Sequence, residues 1–206
     1  MVSTIAPWAE PVPGIERRVT ADELLHWPED PHYPWRYELV AGRLVRMSPT
    51  GGEHSDVSGN IYFALRSFVQ PRRLGLITMP ETGFRLSQSE QDDTVLTPDI
   101  AFISAGRMAE LPRPGSAGRK RFFEIAPDLA IEVASPDQYR PEMAAKAQQY
   151  LAAGVREVWV IWPGRREVDL WRPGSPEPVA TLKADERLAA PELLPGFGIQ
   201  VAELFG

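Results

Sequence analysis

Leu129-Ala130-Ile131-Glu132-Val133-Ala134 is apolar at every position but one. An apolar, partly β-branched run of this length suits a strand covered on both faces. Glu132 is the exception, and glutamate is almost never fully buried unless it is paired. An unpaired carboxylate in such a place is costly, so something must compensate: a metal ion, a cation or a proton. A structural salt bridge to an arginine would answer equally well.

Working outward, Ser135-Pro136-Asp137 turns the chain, and Pro141 suits the first position of a helix. That helix continues through Met143–Ala153, with Gly154 as its cap. Strands are expected at Glu157–Trp162 and Glu167–Trp171, joined by Pro163-Gly164-Arg165-Arg166. Trp159, Trp162 and Trp171 fall on them as core or interface residues. The tail from Pro178 holds one or two further strands and a turn at Pro195-Gly196.

Upstream, Val95–Ile103 reads as one apolar strand with Pro98 and Asp99 in its middle. Proline cannot donate a ladder hydrogen bond, so this strand lies at an edge or is disturbed there. Leu74–Met79 and Gly83–Leu86 are further strands, and Ser87–Asp93 is a polar turn. Between Glu53 and Gln70 the apolar residues Val57, Ile61, Leu65 and Phe68 mark one face of a helix, which Pro71 is expected to end. Tyr37–Val40 and Arg43–Met47 form a hairpin about Ala41-Gly42. Thr20 and Glu23 have capping-box spacing for a short helix. Gly106 to Arg121 is a long loop with helical turns. The fold expected is α/β, a mixed β-sheet flanked by helices, with an N-terminal hairpin.

A chain of 206 residues, 43% apolar and 24% charged, is read as a loose arm at 1–18 and a single domain at 19–206. The arm is broken by Pro7, Pro11, Pro13 and Gly14, and Met1–Glu16 lacks the pattern of a secretory signal. No apolar run approaches the roughly 20 residues of a membrane helix, so no membrane partner is expected. The absence of cysteine rules out disulfides, thiolate metal sites and a cysteine nucleophile, and fits a cytoplasmic location. His26, His32 and His54 lack zinc-ligand spacing. The net charge of −6 counts against indiscriminate nucleic-acid binding.

Asp99 repeats the anomaly of Glu132, although it would also suit a turn at a strand start. If the two strands are neighbours and both carboxylates share a face, two like charges at 4 Å repel by about 4 kcal/mol at an effective dielectric near 20. A hard divalent cation reverses that sign, and carboxylate oxygens are what Mg²⁺ prefers. Lys146 stands in the next helix among uncharged neighbours, with Tyr150 on the same face. A helix packed back on the strand brings its ammonium near both acids; otherwise it is a solvated surface lysine.

Pro98-Asp99, then Glu132-Val133-Ala134-Ser135-Pro136, Lys146 and Tyr150, then Gly154-Val155-Arg156-Glu157-Val158-Trp159, resemble the Uma-two family of bacterial restriction-endonuclease-like proteins in the PD-(D/E)XK superfamily. Tyr37-Glu38-Leu39-Val40 before Gly42, Ser48-Pro49 before His54, and Leu194-Pro195-Gly196-Phe197 extend the resemblance over Thr20 to Phe205. It implies a restriction-endonuclease-like core and metal-dependent hydrolysis of nucleic-acid phosphodiesters, with DNA the first expectation. By this resemblance Asp99 and Glu132 ligate Mg²⁺ or Mn²⁺, with the Val133 carbonyl as a backbone ligand. The superfamily's lysine lies two positions after the second acid, where this chain has Ala134. Lys146 takes its role from the helix. Glu38 matches the upstream glutamate and assists, and His54 and Tyr150 face substrate.

Arg119-Lys120-Arg121, with Arg107 and Arg113, concentrates positive charge in one stretch that could contact phosphates. A homodimer is expected from the superfamily and the aromatic C-terminal half. Two other readings stand beside the nuclease: a nuclease-fold binding or assembly protein without turnover, and a metal-dependent phosphoesterase acting on a small substrate.

Overall fold

The computed structural model describes residues 10–28, 36–47, 49–87, 93–110 and 122–206. In chain order these form β1 (Glu10–Pro11), α1 (Ala21–Leu24), the hairpin β2 (Arg36–Val40) and β3 (Arg43–Met47), and the long helix α2 (Gly52–Arg72). There follow β4 (Gly75–Thr78), β5 (Phe84–Ser87), β6 (Thr94–Leu96), β7 (Ile100–Ser104) and α3 (Ala105–Glu110). The second half holds β8 (Leu129–Val133), α4 (Arg140–Ala152), β9 (Glu157–Trp162), β10 (Glu167–Trp171), β11 (Ala180–Leu182), β12 (Arg187–Leu188) and β13 (Ile199–Gln200).

A six-stranded sheet runs β11-β10-β9-β8-β7-β4. Its centre is the parallel pair β8 and β9, joined through α4, while its other pairings are antiparallel. The alternation of a strand sorts β8 into two faces. Leu129, Ile131 and Val133 pack into the core under α2, with Val57, Ile61 and Leu65. Ala130 and Ala134 face the other core, with Met143, Ala147 and Tyr150 of α4. Glu132 therefore shares the α4 face. Val40, Val45 and Leu96 complete that second core, and they come from a separate five-stranded sheet ordered β1-β3-β2-β6-β5. The mixed architecture flanked by helices is the one expected. Among the described residues no helix is long and apolar enough to cross a membrane.

The expected strand Val95–Ile103 is two strands in two sheets, β6 in the five-stranded and β7 in the six-stranded one. Pro98 lacks the amide that a continuous ladder would use, and the chain changes sheets at Pro98-Asp99. Pro71 does not end α2. It sits in the last turn, where few bonds depend on it, and the helix closes at Arg73 in the left-handed region (φ 55°). Pro141 is the second helical residue, not the first. The described part of the expected loose arm is attached: Glu10 and Pro11 pair with Arg46 and Val45, and the Val12 amide donates to Leu44 O at 3.1 Å. Asp93, expected in a polar turn, is buried and accepts from the Ala21 amide and from Arg85. Arg113, Arg119, Lys120 and Arg121 lie outside the described residues, as do His32 and Ser48.

One glycine is demanded by a close approach. Gly75 opens β4 at φ +154°, and a Cβ there would meet Ile103 O at 2.0 Å, backbone that cannot swing aside. Gly75→Ala is expected to lower stability by about 3 kcal/mol, read as a fall in the urea midpoint with unchanged slope. An unchanged midpoint would show that β4 and β7 can separate at little cost.

Candidate active site

β7 and β8 are antiparallel with Ile100 opposite Ile131, so continuing the register by one residue sets Asp99 against Glu132. The Asp99 carboxylate accepts the Val133 amide at 2.8 Å on Oδ2, which ties the sheet crossing to the end of β8. His54 Nε2 lies 3.1 Å from the same oxygen, and Ser58 Oγ lies 3.4 Å from His54 Nδ1 on the other side of the ring. The first turn of α2 thus reaches the site through His54.

α4 supplies the cation. Lys146 Nζ lies 3.0 Å from Glu132 Oε1 and 3.6 Å from Glu38 Oε1, and the residue is only 1% exposed. Tyr150, one turn on, donates its hydroxyl to Glu132 Oε1 at 2.7 Å. From the other sheet, Glu38 on β2 accepts the Thr97 amide at 2.6 Å, and its Oε2 is buried with no hydrogen-bond partner among the described residues. Glu38, Asp99, Glu132 and Lys146, separate in the sequence, meet where the two sheets and α4 adjoin.

Burial pushes the Glu132 carboxyl up to about 7; the charges of Asp99 and Glu38 push the same way, while the Lys146 ammonium and the Tyr150 hydroxyl oppose them. Glu38 is also raised, by burial first and by Asp99, against the pull of Lys146 and the Thr97 amide. Burial alone would lower Lys146, but Glu132 and Glu38 outweigh it and hold the amine above its ordinary value. Tyr150 is raised by burial and by Glu132, so its phenol stays protonated as a donor.

The alternative of a structural pair with arginine is visible elsewhere in the same sheet. Asp169 is held by Arg140 at 2.6 Å, the Trp162 indole at 2.8 Å and Thr181 at 2.5 Å. Glu157 accepts from Trp159 at 2.6 Å and from Arg172 at 2.8 Å. Asp128 has Arg107 and Arg156 nearby and accepts the Ser104 amide. Glu132 differs: its described partners are a lysine and a tyrosine. Three carboxylates face one ammonium at the site, leaving two negative charges when all are ionised.

Among the described residues no three His, Asp or Glu side chains converge as a ready-made metal cage. Mg²⁺ does not need one, since it binds through one or two carboxylates and retains waters. The hydrogen bonds described for Asp99 fall on Oδ2, and those for Glu132 on Oε1. Asp99 Oδ1 and Glu132 Oε2 accept no hydrogen bond among the described residues, and two carboxylates on facing strands are an oxygen set of the kind Mg²⁺ takes when it keeps its waters.

Of the residues expected to meet substrate, His54 lines a cavity of about 270 Å³ beside Asp99, together with Arg36, Tyr62 and Met79. Tyr150 does not: it is fully buried and its hydroxyl is committed to Glu132, so it is a positioning residue. Ser58, which no sequence motif singles out, buttresses His54. Its only sequence signal is its position one helical turn after His54.

The family model Uma2, described as "Putative restriction endonuclease", matches residues 21–202. The chain is also similar to a protein from Anabaena variabilis ATCC 29413, whose crystal structure is described as that of "a putative nuclease belonging to DUF820". The likeness has a TM-score of 0.72 at 25% identity and covers 91% of this chain and 97% of the other. No curated protein matches the sequence.

Proposed function

Because the chain belongs to the Uma2 family, we propose that it is a metal-dependent endonuclease that hydrolyses nucleic-acid phosphodiesters, DNA first among them. The observation that carries this reading is the Lys146 ammonium set 3.0 Å from Glu132, at a site with an excess of carboxylates. Asp99 and Glu132 would hold Mg²⁺ or Mn²⁺, with the Val133 carbonyl beside them as a backbone ligand. When bound, the ion supplies Lewis acidity and a more acidic water. Lys146 orients the attacking water and offsets charge on the phosphate. Glu38 holds the ammonium in place, Tyr150 fixes Glu132, and the Val133 amide and His54 fix Asp99.

Incubating the protein with plasmid DNA tests this. Nicking with Mg²⁺ that stops in EDTA supports the reading, and cleavage that survives EDTA counts against it. The oxygen set also predicts proton-linked metal uptake. With Glu132 near 7, an incoming ion must expel a proton at lower pH. Mn²⁺ affinity measured by calorimetry is expected to rise about tenfold per pH unit up to neutrality and then level off. A pH-independent Kd would remove Glu132 from the ligand set.

A second reading, a nuclease-fold binding protein without turnover, is favoured by the net charge of −6. Tight partner binding with no metal heat would select it. A small-substrate phosphoesterase is separated by comparing simple phosphodiesters with DNA and RNA. We place the protein in the cytoplasm as a homodimer, which sedimentation tests.

A further inference from the structure

A cavity of about 520 Å³ lies beyond the carboxyl ends of the parallel strands β8 and β9. In open sheets this is the side on which ligands bind. Ala134 lines it, and Ala134 and Glu132 share a face of β8 by the two-residue alternation. The cavity therefore continues the face that carries the acidic cluster. Glu53, on its rim, directly precedes His54, the partner of Asp99. The cavity adjoins the candidate site through both β8 and α2.

Its wall is rigid and aromatic. Trp162 is held through its indole by Asp169, and the Arg140 guanidinium lies 5.1 Å from the Trp162 ring centroid. Arg140 is itself clamped by Glu167 at 2.5 Å and Asp169 at 2.6 Å, so it braces the wall and has little left for a ligand. Tyr139, by contrast, is 67% exposed at the cavity. Arg165 is exposed on the rim and has no carboxylate partner among the described residues.

We propose that this cavity is a subsite for one unstacked nucleotide next to the scissile phosphate, so that the preferred substrate is a single strand or an unpaired end. The base stacks on Tyr139, and its phosphate meets Arg165. This rests on the nuclease reading. In a duplex the base faces are covered by their neighbours, so only an unpaired base offers a face to an aromatic ring. The volume falls in the range of pockets that enclose one small organic ligand. Among the described residues this cavity presents one arginine without a carboxylate partner beside an acidic rim, which is not the broad cationic surface a duplex requires.

Fluorescence anisotropy in EDTA compares a short single-stranded DNA with its duplex. The single strand is expected to bind more tightly. Tyr139→Ala is expected to weaken its binding about tenfold, while Tyr139→Phe stays within about twofold. Arg165→Ala is expected to reduce the slope of log affinity against log salt by about 0.7. With Mg²⁺, Tyr139→Ala is expected to raise KM for the single strand and leave kcat unchanged. No binding of the single strand, equal or tighter duplex binding, or indifference to Tyr139→Ala overturns the subsite. Intact cleavage with an inert Tyr139 removes the subsite alone. Tyr139-dependent binding with no cleavage in Mg²⁺ removes the nuclease reading alone.

Discussion

Glu132→Gln is expected to reduce Mg²⁺-supported cleavage by roughly a thousandfold while leaving the protein folded. The substitution keeps the size and the hydrogen-bond acceptor that Tyr150 uses. It removes the charge that would hold the ion and that now sits 3.0 Å from Lys146. The neighbouring acids do not replace it, because Asp99 is held by the Val133 amide and Glu38 by the Thr97 amide. Single-turnover cleavage and Mn²⁺ calorimetry should fail together, with circular dichroism unchanged. A variant that cuts at the parent rate would place the chemistry elsewhere.

Lys146→Met is expected to cost about 4 kcal/mol of stability at pH 8, the usual scale for removing one partner of a buried ion pair. The methionine fills the space, but Glu132 and Glu38 lose their nearby cation, and both are already raised by burial. The sign of the pH dependence follows. A carboxyl raised to about 7 contributes most to stability below its unfolded value of 4.5, and that contribution is lost as pH rises through 7. Removing the ammonium raises both carboxyls further and makes the loss larger. The deficit against the parent protein is therefore expected to be small near pH 5 and full at pH 8. Urea unfolding in EDTA at the two values measures it. Equal deficits would mean that packing, not charge, gives Lys146 its importance.

The acidic pair was legible in the sequence because a charge inside an apolar run has so few explanations. That signal did not separate Glu132 from Asp169, which also interrupts an apolar strand, or from Glu157, which opens one. Only coordinates show that arginines and tryptophans satisfy those two. Lys146 stood out through its uncharged neighbours, and Tyr150 through its helical spacing, although spacing could not tell a substrate contact from a buried brace. The change of sheet at Pro98 was masked by the apolar runs Val95-Leu96 and Ile100–Ile103 on either side, with the missing amide of Pro98 and the turn-compatible Asp99 as the clues. The tie between Glu38 and the Thr97 amide joins residues far apart in the chain, and no local pattern encodes it.

The position of this cluster on the seam between two sheets has a consequence for the life of the chain. Glu38 arrives on one sheet, Glu132 on the other, and Lys146 touches both. Either half, folded alone, would carry an incomplete set of reactive groups. On the proposed chemistry, a newly made or partly melted molecule would be harmless to its host's genome, and destructive power would appear only at the final act of assembly.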